Sequence, residues 1–191
     1  MIQNKFNDYP FQYFPNYYLE NNLIEEIKNS ITFNQDKVLI GEENIERIEL
    51  RKTCWLSDNE KLNFSYSGKT MKPKKIPELI KKIKNLIYKD FGINFDGILV
   101  NYYEDGQVGM GYHSDPVNTE WENQFIILSL GADRKFIFRE KENKNNKIEY
   151  LFENGDLIYM YGDCQTKYEH SIRKNKSNLE RISLVFKKSK N

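Results

Sequence analysis

Residues 98–116 read I-L-V-N-Y-Y-E-D-G-Q-V-G-M-G-Y-H-S-D-P, and the rest of the chain is best read outward from them. The stretch holds His113, one of two histidines among 191 residues, with Asp115 two positions later. The other histidine, His170, lies well beyond it in Y-E-H-S-I-R. Two imidazoles and a carboxylate are the donor set that holds a mononuclear non-haem Fe(II) on one triangular face, leaving the opposite face open. In extended backbone, residues i and i+2 project to the same side, so one short strand offers His113 and Asp115 together. The third ligand then has to come from a different strand. Alone, H-x-D is a common pattern, and a histidine is more often a satisfied core or surface group than a ligand. Support has to come from elsewhere in the chain.

Composition bounds the class. Hydrophobic residues make up 39% and charged residues 30%, which suits a folded globular chain rather than a disordered one. The length suits one domain with a core that needs no disulfides. A net charge of +1 excludes a uniformly basic nucleic-acid coat but allows local patches. Cys54 and Cys164 are too few for a cluster or a disulfide framework and read as reduced thiols. The N-terminal M-I-Q-N-K-F-N-D-Y-P lacks an apolar signal core, and no run approaches the roughly 18 apolar residues of a membrane span. The expectation is a soluble, intracellular monomer of the cytoplasm or nucleus, not secreted, with the sequons at Asn63 and Asn175 unused.

In chain order, residues 1–15 read as a packed, aromatic arm. Leu19, Leu23, Ile24 and Ile27 recur at helical spacing and predict a helix over 16–29. A short strand near Asp36–Ile40 leads to a turn at Gly41, and Arg51–Asp58 and F-S-Y-S-G follow. The G-K-T at 68–70 looks like part of a phosphate loop, but Asn63 stands where that motif needs a glycine, so the motif is rejected. Residues 69–84 carry seven lysines, either a solvated helix face or a phosphate-binding stripe. Within and beyond them, Ile76, Leu79, Ile80, Ile83, Leu86 and Ile87 predict a helix over 77–89. From Asn94 on, strand-like segments crowd together at 96–103, 124–130, 134–139, 148–153, 157–161, 168–173 and 180–187. That density predicts an antiparallel sandwich or barrel, giving an α+β chain with its helices first. In the last segment Ile182, Leu184 and Phe186 share one face, and Arg181, Ser183, Val185 and Lys187 the other. Two cations on one face of a strand suit either a charge-blunted edge or a carboxylate held from inside a barrel.

Four patches in order then resemble the AlkB-type Fe(II)/2-oxoglutarate dioxygenases, over roughly residues 38–188. They are R-K-T-C-W-L-S-D with Y-S-G; N-Y-Y ahead of H-S-D; S-L-G-A-D-R-K-F-I-F-R; and His170 with the R-x-S-x-V-x-K strand. The resemblance implies a double-stranded β-helix (jelly-roll) core at 96–188, with 1–95 an extension bearing helices and substrate-lid loops, the whole of 1–191 forming one dioxygenase domain. It implies Fe(II) on His113, Asp115 and His170. It also implies 2-oxoglutarate held by Arg181 with Tyr103, near Asn101, Ser183 and Lys187. O2 would be consumed, and an N-alkyl carbon hydroxylated and lost as an aldehyde. The implied substrate is an alkylated base in DNA or RNA, single-stranded or extruded from a duplex, as in repair. On the substrate side stand Trp55 and Tyr66 as stacking candidates, Arg51, and Ile40 as an aliphatic wedge.

Departures from the family pattern keep other readings open. Lys187, Ser183 and Val185 replace the family's second Arg, its Asn and its Thr, and Pro116 with Val117 stand where repair members carry another acid. A dioxygenase acting on a protein or small molecule is one alternative. A non-catalytic β-sandwich binding nucleic acid through Lys69–Lys84 is another.

Overall fold

The β-branched and aromatic segments after Asn94 all become strands, each within three residues of its expected bounds. A computed structural model describes residues 9–41, 43–117 and 120–190; the first eight residues of the expected arm lie outside them. In order, the elements are β1 (Phe11–Phe14), α1 (Leu23–Ser30), β2 (Lys37–Ile40), β3 (Ile45–Ile48), β4 (Lys52–Leu56), β5 (Phe64–Tyr66), β6 (Lys69–Met71) and α2 (Glu78–Phe91). Then come β7 (Gly97–Tyr103), β8 (Met110–His113), β9 (Trp121–Gly131), β10 (Arg134–Glu140), β11 (Lys147–Phe152), β12 (Leu157–Met160), α3 (Cys164–Lys167), β13 (Tyr168–Ile172) and β14 (Arg181–Ser189).

Two antiparallel sheets carry the structure. One runs β1-β12-β9-β14-β7-β4 and the other β11-β10-β13-β8. Strand periodicity divides their side chains between two cores. Ile98, Val100, Ile126, Leu128, Ile182, Leu184 and Phe186 point outward from the six-stranded sheet, where Leu23 and Ile27 of α1 and Ile80, Ile83 and Ile87 of α2 cover them. Leu99, Phe125, Ile127 and Val185 point inward and meet Phe136, Phe138, Tyr168 and Ile172 of the smaller sheet. β14 lies between β9 and β7, so the edge-strand explanation of its two cations fails.

Helix starts differ from expectation for local reasons. Asn16 and Asn22 sit at φ 52° and 60°, which breaks the chain after Pro15 and delays α1 to Leu23. α2 begins after Pro77 and ends at Gly92 (φ 71°), whose N–H caps Tyr88 O at 2.8 Å. What is described of the arm extends the large sheet as β1, with the Phe11 ring stacked on Phe138 at 3.7 Å. Both cysteines are buried and free. Among the described residues no helix is long and apolar enough to cross a membrane.

Candidate active site

Between the sheets, toward the β8 end, a cavity of about 190 Å3 opens. His113 and His170 line it as direct cross-strand partners of β8 and β13, their rings 4.4 Å apart. The register between these strands slips just beyond this pair, so β8 carries an extra residue between His113 and Met110. Such a bulge re-aims the side chains beside it. His113 Nδ1 donates to Gly111 O at 2.9 Å, which turns Nε2 toward the cavity as the free lone pair. His170 is stacked on Phe136, centroids 5.4 Å apart and planes 9° apart.

Asp115 is not on the strand with His113, as the i, i+2 argument expected. β8 ends at His113, and three contacts hold the carboxylate-bearing turn that follows. Asp115 N donates to Gln165 Oε1 at 2.8 Å, Ser114 Oγ to Tyr168 O at 3.0 Å, and Lys187 Nζ to Asp115 Oδ1 at 2.6 Å. The second oxygen, Oδ2, stands 3.6 Å from His170 Nε2. Donors on one metal face sit about 3 Å apart when each bond is about 2.1 Å. Among the described residues no three donors are already drawn to that closed spacing. The three side chains nonetheless line one cavity with one carboxylate oxygen uncommitted, which is the donor set of a mononuclear Fe(II) site.

Protonation states agree. Burial pushes the His170 imidazole down to about 3, and burial also lowers His113, so both are neutral with lone pairs available. Burial alone would raise the Asp115 carboxyl. Lys187 and the two imidazoles outweigh it and hold the group well below the usual carboxylate range.

Farther along the inner face of β14 sits Arg181, which is fully buried. Its Nε donates to Ser129 Oγ at 2.9 Å, its guanidinium lies 5.1 Å from the Tyr103 ring centre, and both Nη atoms are buried without a partner. Burial, with Arg134 nearby, lowers its pKa to about 10, still far above neutrality. Two orphaned donors on a buried cation mark a place for an anion. Asn101 Nδ2 meets Ser183 Oγ at 3.2 Å on the same wall, leaving its buried Oδ1 free. Lys187, expected beside Arg181 on 2-oxoglutarate, is instead tied to Asp115. Strand alternation puts both on one face, but six residues of rise separate them.

The substrate side is sorted by burial. Tyr66 and Arg51 line the cavity mouth. Tyr66 Oη donates to Glu49 Oε1 at 2.8 Å, and its ring faces Lys69 Nζ at 4.7 Å. Ile40 is 53% exposed at the tip of the β2–β3 hairpin, on a groove shared with Tyr66 and Arg51. Trp55 does not line the cavity. It is 1% exposed, stacked on Phe64 at 4.7 Å, its Nε1 spent on Leu62 O at 2.6 Å, with its ring directly over Gly97, where any Cβ would clash. Because β4 pairs β7 as the last strand of the large sheet, its inward residue is core.

The lysine stretch is also corrected. Lys69 is a buried partner of Glu49 at 2.5 Å. Lys74, Lys81 and Lys84 bond within the chain, and α2 lies on the outer face of the large sheet, with that sheet between it and the cavity. Among the described residues, Arg173 and Lys174 are exposed beside the mouth, on a groove that also holds Met110. Sequence reasoning missed them, and it missed Gln165 and Glu49, because only the strand pairing brings these residues near the site. Phe136 was accessible from the alternation of K-F-I-F-R.

Residues 11–187 match the model of the 2OG-Fe(II) oxygenase superfamily, and the chain belongs to that superfamily. It is accordingly a 2-oxoglutarate-dependent dioxygenase with Fe(II) and 2-oxoglutarate as its cofactors, and its similarities are AlkB-like. It is 32% identical over 176 residues to the uncharacterized protein R406 of Acanthamoeba polyphaga mimivirus, covering 88% of this chain and 86% of that protein. Over 136 residues it is 28% identical to the Homo sapiens DNA oxidative demethylase ALKBH2 (66% of this chain, 52% of that one). Over 149 residues it is 30% identical to the Bos taurus alpha-ketoglutarate-dependent dioxygenase alkB homolog 3 (72% and 51%). The chain thus spans about half the length of the latter two. In fold it is similar to the structure of OsALKBH1, with a TM-score of 0.64 and 14% identity over 96% of this chain and 100% of that one.

Proposed function

We propose that the protein oxidatively removes alkyl groups from nucleobases of DNA or RNA, as a repair activity. The frame is a double-stranded β-helix. From β7 to β14, successive strands fall as β7-β14-β9-β12 in one sheet and β8-β13-β10-β11 in the other, the alternation of a jelly roll. His113, Asp115 and His170 are the Fe(II) ligands. Lys187 keeps Asp115 ionised and oriented through Oδ1, so Oδ2 is the metal-facing atom. Arg181 takes the distal carboxylate of 2-oxoglutarate on its two free Nη groups, with Tyr103 beside it.

When bound, Fe(II) with 2-oxoglutarate and O2 supplies the oxidation of an N-alkyl C–H bond, yielding succinate and CO2; the hydroxylated carbon leaves the base as an aldehyde. The chain's own part is positioning. Phe136 and Ile172 wall the imidazoles against water, and Tyr66, fixed through its hydroxyl, offers a ring face on which an extruded base can stack. Arg173 and Lys174 lie where the phosphates of such a strand would pass.

The observation that carries the substrate assignment is this mouth: a fixed aromatic ring at the rim of a buried donor triad, in a chain whose named relatives include a DNA oxidative demethylase. Succinate release with methylated against unmodified oligonucleotides tests it, with loss of the methyl group followed by mass. Equal, low release with both would favour a protein or small-molecule substrate. That second reading draws support from Pro116 and Val117, which place no acid next to the metal ligand.

A further inference from the structure

This inference rests on the nucleobase reading and names the class of base. Besides the two imidazoles, three charged side chains line the cavity among the described residues: Asp115, Arg181 and Arg51. Asp115 is committed to Lys187 and the metal face, and Arg181 sits at the far end. Only Arg51 is left to meet a base.

Arg51 is 7% exposed. Its Nη1 contacts Met110 Sδ at 3.1 Å, its Nη2 lies 3.3 Å from Glu49 Oε1, and its Nε is buried without a partner. Glu49 cannot serve a substrate cation in its place. It does not line the cavity, and its oxygens are taken by the Tyr66 hydroxyl, the Lys69 ammonium and Arg51 itself. After Asp115 the chain continues Pro116-Val117, neither of them an acid. Among the described residues the cavity lining holds a guanidinium with one buried, unpartnered donor and no carboxylate besides Asp115.

Alkylation chemistry divides bases on this charge. Alkylating a ring nitrogen that carried no hydrogen, adenine N1 or cytosine N3, creates a cation. Alkylating one that carried hydrogen, guanine N1 or thymine N3, leaves a neutral base with a carbonyl beside the alkylated nitrogen. 3-Methylcytosine keeps such a carbonyl too, so charge alone sets it apart from the neutral pair, whereas 1-methyladenine has neither the neutrality nor the carbonyl. A cationic base would meet like charge in a low-dielectric cavity, whereas a neutral one brings the acceptor that Arg51 Nε lacks. We propose that the preferred substrates are neutral, carbonyl-flanked alkylated bases, and that Arg51 is the residue that selects them, by donation and by repulsion together.

The test uses the full chain with Fe(II) and 2-oxoglutarate. Oligonucleotides carry 1-methylguanine, 3-methylthymine, 1-methyladenine or 3-methylcytosine, with kcat/KM from formaldehyde release and affinity from fluorescence anisotropy. The neutral pair should exceed the cationic pair by about tenfold or more in kcat/KM. Arg51→Gln should bring that ratio to within about threefold by raising activity on the cationic pair. Arg51→Lys keeps the charge and loses the fork, so it should still reject the cationic pair while losing affinity for the neutral one. A wild-type preference for the cationic pair overturns the inference and leaves the nucleobase reading standing. So does an unchanged ratio in Arg51→Gln. No response to any of the four above unmodified oligonucleotide overturns the nucleobase reading and this inference with it.

Discussion

Replacing Arg181 by Met removes a buried, cavity-lining cation with two unpartnered donors. In the wild type both Nη atoms are buried and unpartnered, and only Nε is spent, on Ser129 Oγ. Without ligand, that arrangement costs the protein stability, since a desolvated cation keeps two idle donors. With 2-oxoglutarate bound, the same donors form a charge-assisted pair away from water. Breaking such a pair costs about 2–5 kcal/mol. At about 1.4 kcal/mol per tenfold, the apparent KM for 2-oxoglutarate should rise about thirtyfold at least and up to several thousandfold.

Turnover at saturating cosubstrate should fall far less. Met fills most of the space, so the ligand-free variant should melt no lower than wild type, and the added stability that 2-oxoglutarate confers on wild type should vanish. Steady-state succinate release against 2-oxoglutarate concentration and thermal melts with and without it measure all of this. A rise below about threefold, or an equal rise from Lys187→Met, would refute the assignment of Arg181 to the distal carboxylate.

Further outcomes follow from the same contacts. Asp115→Ala should abolish turnover and also lower stability by about 3–5 kcal/mol, because it leaves Lys187 buried without its partner; Asp115→Ala with Lys187→Met should recover most of that loss in urea unfolding. Trp55→Ala should destabilise the fold by about 3–5 kcal/mol as a core truncation, whereas Tyr66→Ala should weaken oligonucleotide binding by about 1–3 kcal/mol with little loss of melting temperature. Neutralising Arg173 and Lys174 together should flatten the salt dependence of oligonucleotide binding by up to about two units of slope, and Lys74→Ala with Lys75→Ala should leave it unchanged; the reverse pattern in anisotropy titrations would put the phosphates on α2.

Local patterns carried much of this protein into view. Short runs rich in Ile, Val, Phe and Tyr between turn residues marked seven strands after Asn94, because β-branched and aromatic side chains fit a pleated, packed surface. Period-two alternation split β14 correctly into an outward Ile182-Leu184-Phe186 face and an inward Arg181-Ser183-Val185-Lys187 face. The rarity of histidine singled out His113 and His170, which the fold makes direct cross-strand partners of β8 and β13.

What the sequence left open depends on which strands become neighbours, and on burial. β8 ends at His113, which leaves Asp115 a loop residue held by Gln165, a contact fifty positions away that no local pattern encodes. Lys187 reads as a second cosubstrate cation by alternation, yet the meeting of β14 with that loop gives it Asp115. Trp55 and Tyr66 look alike as aromatics in matching loops. Only the position of β4 at the border of the large sheet buries the first beneath Phe64, and leaves the second at the rim. Charge is legible from composition, but its free energy is set by desolvation and nearest partners, and those are properties of the folded chain alone.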